Sequence, residues 1–367
     1  MNTKLFEMNM NNTKRDTDIL INTKLNERSP IVEIFTAIVE GKDTSKYGKK
    51  TDLTMDKIKE LGQKAMHGDM TAKAELNTIQ RYTLEPHLQK LIQIFNFMGT
   101  FKDIGYDVQP MVRTHKHESI RSNFQASHGD VPFGVTSWTE YPISTQTISS
   151  GYAVDYREVA SGNLDKISEG IDQTKIDMMN KAMYYAIFQL YNGIKNATGV
   201  KYFAEAAGIT KEAVDDTIAK VRRFGRPAIM GDYSVVSQLN ASDFDVRTSL
   251  VSEAVLEEIR KTGLLTFYNG SPVIELPNQY NLTKLNADGD NFETYLPEGL
   301  MFFVPQGQVA PFQIFRRGGL TSMTGQDIVS GTELTRFDME IGADLAKGRE
   351  YEIGLVSDSN YEVPAIG

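Results

Sequence analysis

The stretch that most constrains this chain runs from Asn163 to Gly193, NLDKISEGIDQTKIDMMNKAMYYAIFQLYNG. It holds no proline and reads as one uninterrupted helix, about 45 Å long at helical rise. Asn163 is placed to cap the first turn, Asp165 sits where the helix dipole favours an anion, and Gly193 supplies a stop. The two halves differ. Leu164, Ile167, Ile171, Met178 and Ala182 form one apolar stripe, with Lys166, Glu169, Asp172, Lys175, Asp177 and Lys181 on the other faces. Between Lys181 and Gly193 there is no charge, so that half must be buried on most sides. Twelve uncharged residues are too few to span a bilayer.

The rest of the chain has to be organised around this rod. Its 367 residues predict two or three domains, or one large one with extensions. There is no cysteine, hence no disulfide and no thiolate chemistry. The start, MNTKLFEMNMNNTKRDTD, has no signal-peptide pattern, and no apolar run reaches membrane length. The formal net charge of −9 argues against a protein that condenses nucleic acid by its own charge. It leaves room for one that encloses nucleic acid forced in by other means.

Residues 1–29 read as a polar arm, and Ser29-Pro30 opens a short apolar helix with Ile31, Ile34, Phe35, Ile38 and Val39 on one face. Helical patterns follow over Met55–His67, Met70–Tyr82 and Leu84–Phe97. Strand patterns appear at Asp107–Arg113 and Thr145–Arg157. The polar stretch His115–Pro142 between them predicts an extended, arm-like hairpin that rests on another chain.

Beyond the long helix, Val214, Ile218 and Val221 mark an amphipathic helix and Pro227–Gly231 a buried strand. Short helices are expected over DYSVVSQLN and Ser252–Lys261. LLTFYNGSPVIEL is a hairpin turning on Asn269-Gly270. Asn278–Thr294 reads as a loop, and GLMFFVPQG and APFQIFRRG as strands. At the end, Phe337, Met339, Ile341, Ala343 and Leu345 alternate with polar residues, as do Tyr351, Ile353 and Leu355. That pattern predicts a long hairpin with one wet face, lying on the stripe of the long helix.

Catalytic signals are sparse. His115, His117 and Glu118, with His128 nearby, form the one metal-like cluster; two imidazoles on one strand face could meet one ion, but a polar loop tip offers no frame to hold them. His67 and His87 are read as helix-surface residues. No nucleophile elbow, P-loop or dinucleotide fingerprint is present. Arg316-Arg317-Gly318-Gly319 reads as a strand end whose arginines meet carboxylates, and Arg222, Arg223 and Arg226 as helix-end cations. Trp138 and the tyrosines of 141–156 read as interface packing. No catalytic, cofactor or metal residue is therefore assigned.

The order of parts resembles the major capsid protein of tailed double-stranded DNA bacteriophages, with the α+β Hong Kong 97-type fold. The residues that carry the resemblance are the loop Tyr106–Val154, the spine Asn163–Gly193, the Asn269-Gly270 hairpin and the ending ELTRFDMEIGADLAKGREYEIGLVSDSNY. It spans roughly residues 85–360 and is architectural, without a short diagnostic motif. It implies an N-terminal arm and helical region (1–84), a peripheral domain (85–105 with 155–205 and 318–367), an extended loop (106–154) and an axial domain (206–317).

It further implies a non-enzymatic protein of the virion, assembled in the host cytoplasm into hexamers and pentamers of an icosahedral shell. Expected partners are its own copies, a separate scaffolding protein, a portal protein and enclosed double-stranded DNA, bound without sequence specificity. One relative crosslinks a loop lysine to a neighbour's asparagine; Lys116 and Asn360 sit in no matched motif, so that chemistry is not carried over. The alternatives are an encapsulin-like nanocompartment shell, and a soluble metal-dependent enzyme using His115, His117 and His128.

Overall fold

A computed structural model describes residues 29–116, 122, 124, 133–134, 137–155, 165–240, 264–286, 289–306, 310–327 and 332–361. In chain order the helices are α1 (Pro30–Val39), α2 (Lys49–Met66), α3 (Met70–Met98), α4 (Asp165–Lys195), α5 (Lys211–Val221) and α6 (Tyr233–Val236). The strands are β1 (Thr100–Ile104), β2 (Met111–Lys116), β3 (Ser137–Pro142), β4 (Gln146–Val154), β5 (Tyr202–Ala206), β6 (Arg226–Gly231) and β7 (Phe267–Tyr268). They continue with β8 (Ser271–Glu275), β9 (Tyr280–Leu285), β10 (Phe292–Thr294), β11 (Leu300–Gln306), β12 (Phe312–Asp327), β13 (Thr332–Leu345) and β14 (Gly354–Asp358). The chain divides into two compact units. One comprises Met1–Leu91, Thr147–Met179 and Gly319–Met339, the other Ile92–Gln146, Asn180–Gly318 and Glu340–Gly367.

In the first unit the helix ends are built from glycine. After α1, Gly41 takes a left-handed φ of 64°, its N–H bonds Ile38 O, and the next N–H, of Lys42, reaches back to Ala37 O at 2.9 Å. This double closure satisfies carbonyls the helix leaves open. Gly68 repeats it after α2, with bonds to Ala65 O and, from Asp69, to Lys64 O. Asp69 then caps α3 by accepting from Thr71 N (2.9 Å) and Ala72 N (3.3 Å). Two residues thus stop one helix and start the next.

Expected separate helices over 70–82 and 84–97 are one continuous helix, α3. Pro86 does not interrupt it, and residues 86–93 are described here only in their backbone course. Ser168 of α4 ties to the end of α1 by donating to Val39 O at 2.9 Å. Ile167, Ile171 and Met178 of α4 are buried, and Gly170 meets the ring of Tyr152 so closely that a Cβ there would lie 2.7 Å from it. Tyr152 in turn packs on Phe337, ring centroids 6.1 Å apart.

In the second unit α4 carries no exposed residue from Ala182 to Ile194, as its lack of charge predicts. Gly193 is not the stop: the helix runs on to Lys195. The glycine is needed for contact instead, since a Cβ would stand 2.8 Å from that of Leu345 on β13. Asn163 lies outside the described residues.

A four-stranded sheet has the order β1-β12-β13-β4, with β1 parallel to β12. A six-stranded sheet has the order β5-β14-β11-β6-β8-β7. Val214, Ile218 and Val221 of α5 join Ile229, Met301, Phe303 and Val356 in its core. β11 is buried over Leu300–Val304. Pro305 and Pro227 face each other across β11 and β6, and neither can donate to a ladder. On β11, strand β14 pairs with residues 300–303 alone, and on β6, strand β8 pairs with 229–231 alone, so both prolines stand where no third strand asks for their N–H.

Three further expectations are corrected. The terminal strands do not form a hairpin: β13 belongs to the four-stranded sheet and β14 to the six-stranded one. Between them a short turn holds a buried bidentate pair, Arg349 Nε and Nη2 on Glu352 at 2.6 and 2.5 Å. Strand patterns at 107–113 and 145–157 do not pair; β2 pairs with β3, and β4 joins β13. Residues 278–294 are not a loop but contain the hairpin β9–β10. The arm 1–28 and the expected helix 252–261 lie outside the described residues.

Three stability outcomes follow. Gly193→Ala should lower urea-unfolding stability by about 1–3 kcal/mol through overpacking, although alanine favours helix by about 1 kcal/mol in an open site; a gain in stability would refute the Leu345 contact. Glu352→Ala should cost about 3–5 kcal/mol by removing the carboxylate from a buried guanidinium. Glu140→Ala, which removes an exposed pair, should cost no more than about 1 kcal/mol in the same titration.

Candidate assembly surfaces

The β2–β3 hairpin is anchored on one face and open on the other. Its antiparallel register sets Val112 opposite Tyr141, Arg113 opposite Glu140 and Thr114 opposite Thr139. Period-two alternation turns Val112 and Thr114 inward. Val112 packs with Phe315 and Ala346. Tyr141 donates its hydroxyl to Leu345 O at 3.1 Å and accepts from Lys347 N at 3.3 Å, while Lys347 Nζ lies 4.8 Å from its ring centroid. Burial, with the nearby Asp344 carboxylate, pushes the Tyr141 hydroxyl far above the usual phenol range. Gln313 adds a bond to Arg113 O at 3.0 Å.

The outer face is held only by exposed groups. Arg113 Nε bonds Glu140 at 2.6 Å, and the guanidinium lies 5.4 Å from the Trp138 ring centroid. Trp138 is 60% exposed, and Tyr106, Val108 and Met111 are exposed beside the stem. Farther along, Phe124 and Phe133 are fully exposed. The ribbon thus presents an aromatic and aliphatic outer surface.

The second ribbon, β9–β10, has a tight root and open faces. At the root Asn278 donates to Asp232 Oδ2 (2.7 Å) and Leu296 O (3.0 Å), and accepts from Leu296 N (2.9 Å). Asn180 of α4 bonds Gln279 at 3.3 Å. Burial and repulsion by Asp232 raise the pKa of the neighbouring Glu298. Beyond the root, Tyr280 is 53% and Leu282 72% exposed, and the cross-strand pair Leu285–Phe292 is exposed as well. Lys284 and Glu293, 2.7 Å apart, link charges along it. The signal for this hairpin was present: Tyr280 and Leu282 alternate, and Asn286 closes the turn by accepting from Asp290 N and Asn291 N. The density of polar residues hid it.

Arg316 and Arg317 meet carboxylates within the chain, as expected, but they stand inside β12 (Phe312–Asp327) and not at a strand end, because the strand continues through Gly318 and Gly319. Arg316 makes a bidentate contact to its register partner Asp103 at 2.6 and 2.8 Å. Arg317 reaches Glu340 at 3.3 Å and also Tyr106 O. Gly318 and Gly319 both take φ 73°, and Gly318 lets β12 pass beneath the Tyr106 ring. Both guanidinium groups are thus committed to carboxylates. Arg222 and Arg226 follow a helix end but bond turn carbonyls, Asn269 O and Gly270 O.

His115 stands in β2 opposite Trp138. Its side chain lies outside the described residues, as do His117 and His128, and so does the side chain of His87. His67 is exposed at the end of α2. Among the described residues no three His, Cys, Asp or Glu side chains come together as a metal site.

Solved structures similar to this chain include three shell proteins. The mature capsid of bacteriophage PhiM1 is 10% identical, covering 72% of this chain and 87% of that one, with a TM-score of 0.47. The head of Helicobacter pylori bacteriophage KHP40 is 11% identical, covering 70% and 88%, with a TM-score of 0.46. The SrpI encapsulin of Synechococcus elongatus PCC 7942 is 10% identical, covering 75% and 91%, with a TM-score of 0.44. Among curated proteins no match is found. A family model described as "SPbeta prophage-derived putative capsid protein YonB" matches residues 9–357, and the chain belongs to that family.

Proposed function

We propose that this chain is the major head protein of a tailed phage, self-assembling into the hexamers and pentamers of an icosahedral shell of the Hong Kong 97 type. The observation that carries the reading is family membership over 9–357, nearly the whole chain. A capsid protein is a structural protein of the virion, and its oligomer is a shell. On this reading 85–105, 155–205 and 318–367 form the peripheral domain and 206–317 the axial domain. The extended loop, 106–154, lies over an adjacent subunit and carries the β2–β3 ribbon. The β9–β10 ribbon belongs to the axial domain.

The two ribbons support assembly because each leaves apolar surface that its own chain does not cover. Burying such a face against copies of the chain removes it from water. Heterologous contacts that close into rings require one chain to present several different surfaces, and two separate ribbons meet that need. A net charge of −9 suits a container whose DNA is driven in by a motor, since such a wall need not condense its contents. A separate scaffolding protein would guide assembly in the host cytoplasm, and a portal would occupy one vertex. No helix among the described residues is long and apolar enough to cross a membrane.

Sedimentation and negative-stain microscopy of the chain, expressed with and without its candidate scaffolding protein, test this directly; closed shells are expected with the scaffold. Trp138→Asp and Leu282→Asp, both at exposed positions, should leave the far-ultraviolet circular dichroism unchanged and remove shells, each costing about 2 kcal/mol or more per contact. Undiminished shell yield in both variants would exclude the ribbons as contacts. A soluble monomer under every expression condition would exclude the shell.

A further inference from the structure

The turn between β7 and β8 combines a chemically labile dipeptide with a polar clamp that shell formation does not explain. Asn269 and Gly270 occupy its two central positions, with φ 47° and 75°, both left-handed. They complete a tight hairpin in which Phe267 faces Pro272 and Tyr268 faces Ser271. Both turn residues are exposed. A glycine after asparagine leaves the following backbone nitrogen unhindered: the nearest atom to a Cβ at Gly270 would be Arg222 Nη2, 3.7 Å away.

The asparagine amide is nonetheless held. Its Nδ2 donates to Asp215 Oδ1 at 2.7 Å, and the same oxygen accepts from the Tyr268 hydroxyl at 2.9 Å. Arg222 Nη1 binds Asn269 O at 3.2 Å and Arg226 Nε binds Gly270 O at 2.5 Å. Arg226 also lies 5.5 Å from the Phe267 ring centroid. Among the described residues, the charged groups that contact the turn are Asp215 from α5, Arg222 just beyond it and Arg226 from β6.

We propose that Asn269-Gly270 is a spontaneous deamidation site that Asp215 keeps in the amide form. In the reaction the Gly270 backbone nitrogen attacks Cγ of Asn269 and closes a five-membered imide. The Cγ–Nδ2 bond breaks, and ammonia leaves carrying the proton lost from the Gly270 amide. Water then opens either imide bond, giving aspartate or isoaspartate and releasing a proton. No oxidant or cofactor enters.

Asp215 opposes the first step in two ways. Its bond to Nδ2 directs the side chain away from the Gly270 nitrogen, and its charge disfavours the deprotonated amide that attacks. The product is poorly accommodated. A carboxylate at 269 would face Asp215 at hydrogen-bond range, and the isoaspartate form adds a backbone atom to a two-residue turn whose register depends on its length. Tyr268, buried in the core of the six-stranded sheet, would lose its fixed position.

Full-length protein held in mildly alkaline buffer, digested and weighed, reads the conversion as the mass change of amide to acid at position 269. Asp215→Ala should convert about ten times faster than the parent in native buffer, the order expected for one charge-assisted hydrogen bond. In concentrated urea the two should convert at the same rate. The parent alone supplies a second readout that needs no variant: its native rate should fall about tenfold below its rate in urea. Asn269→Gln should abolish the signal. Equal native rates for parent and Asp215→Ala, equal parent rates in native buffer and urea, or a signal that persists in Asn269→Gln would each overturn the proposal.

Discussion

The structure depends on how closely the long helix admits the strands that lie on it. At Gly170 the helix accepts the ring of Tyr152, and at Gly193 it accepts Leu345. A side chain at either position would occupy space already filled by a neighbour. Interiors are packed to crystal density, so such a change cannot be absorbed locally. The contact at Gly170 leads through Tyr152 to Phe337, so both β4 and β13 are placed by it. Helix propensity is given up at both glycines in exchange for the depth of contact.

Polar groups at helix ends, roots and corners are handled by short local devices. Gly41 and Gly68 return two helix ends to their own carbonyls, and Asp69 starts the next helix. Asn278 uses both ends of its amide to root a ribbon. Arg349 and Glu352 satisfy one another inside the turn that sends the chain from one sheet to the other. Each device rigidifies a root or a corner. What it roots can therefore extend into solvent without dragging on the core, and this is how two slender ribbons coexist with a well-packed body.

The ribbons connect the fold to its use. Each is fastened at one end, one by the buried Val112 and the other by the half-buried Asn278, and each exposes large apolar side chains beyond that point. Surface charge pairs such as Arg113–Glu140 and Lys284–Glu293 contribute little energy in water. On the function proposed above, copies of the chain cover these open faces. The family to which it belongs makes capsids, and the physical reading and the kinship meet there.

Periodicity and composition alone determined a great deal. The uncharged run after Lys181, the inward face of α5, the Asn269-Gly270 turn and the alternation of 337–345 are each set by neighbours within a few residues, and each was legible. The ribbon β9–β10 carried a readable alternation, masked by its polar turn. Other features were decided only in three dimensions. Strand patterns do not name their partners, so the pairing of β2 with β3 and the division of β13 and β14 between two sheets could not be read from alternation. Likewise a glycine near a helix end looks the same whether it caps the helix or admits a strand; Gly193 does the second because Leu345, far away in sequence, stands against it. Local order follows from spacing along the chain, whereas pairing and close approach are set by volume that residues distant in sequence must share.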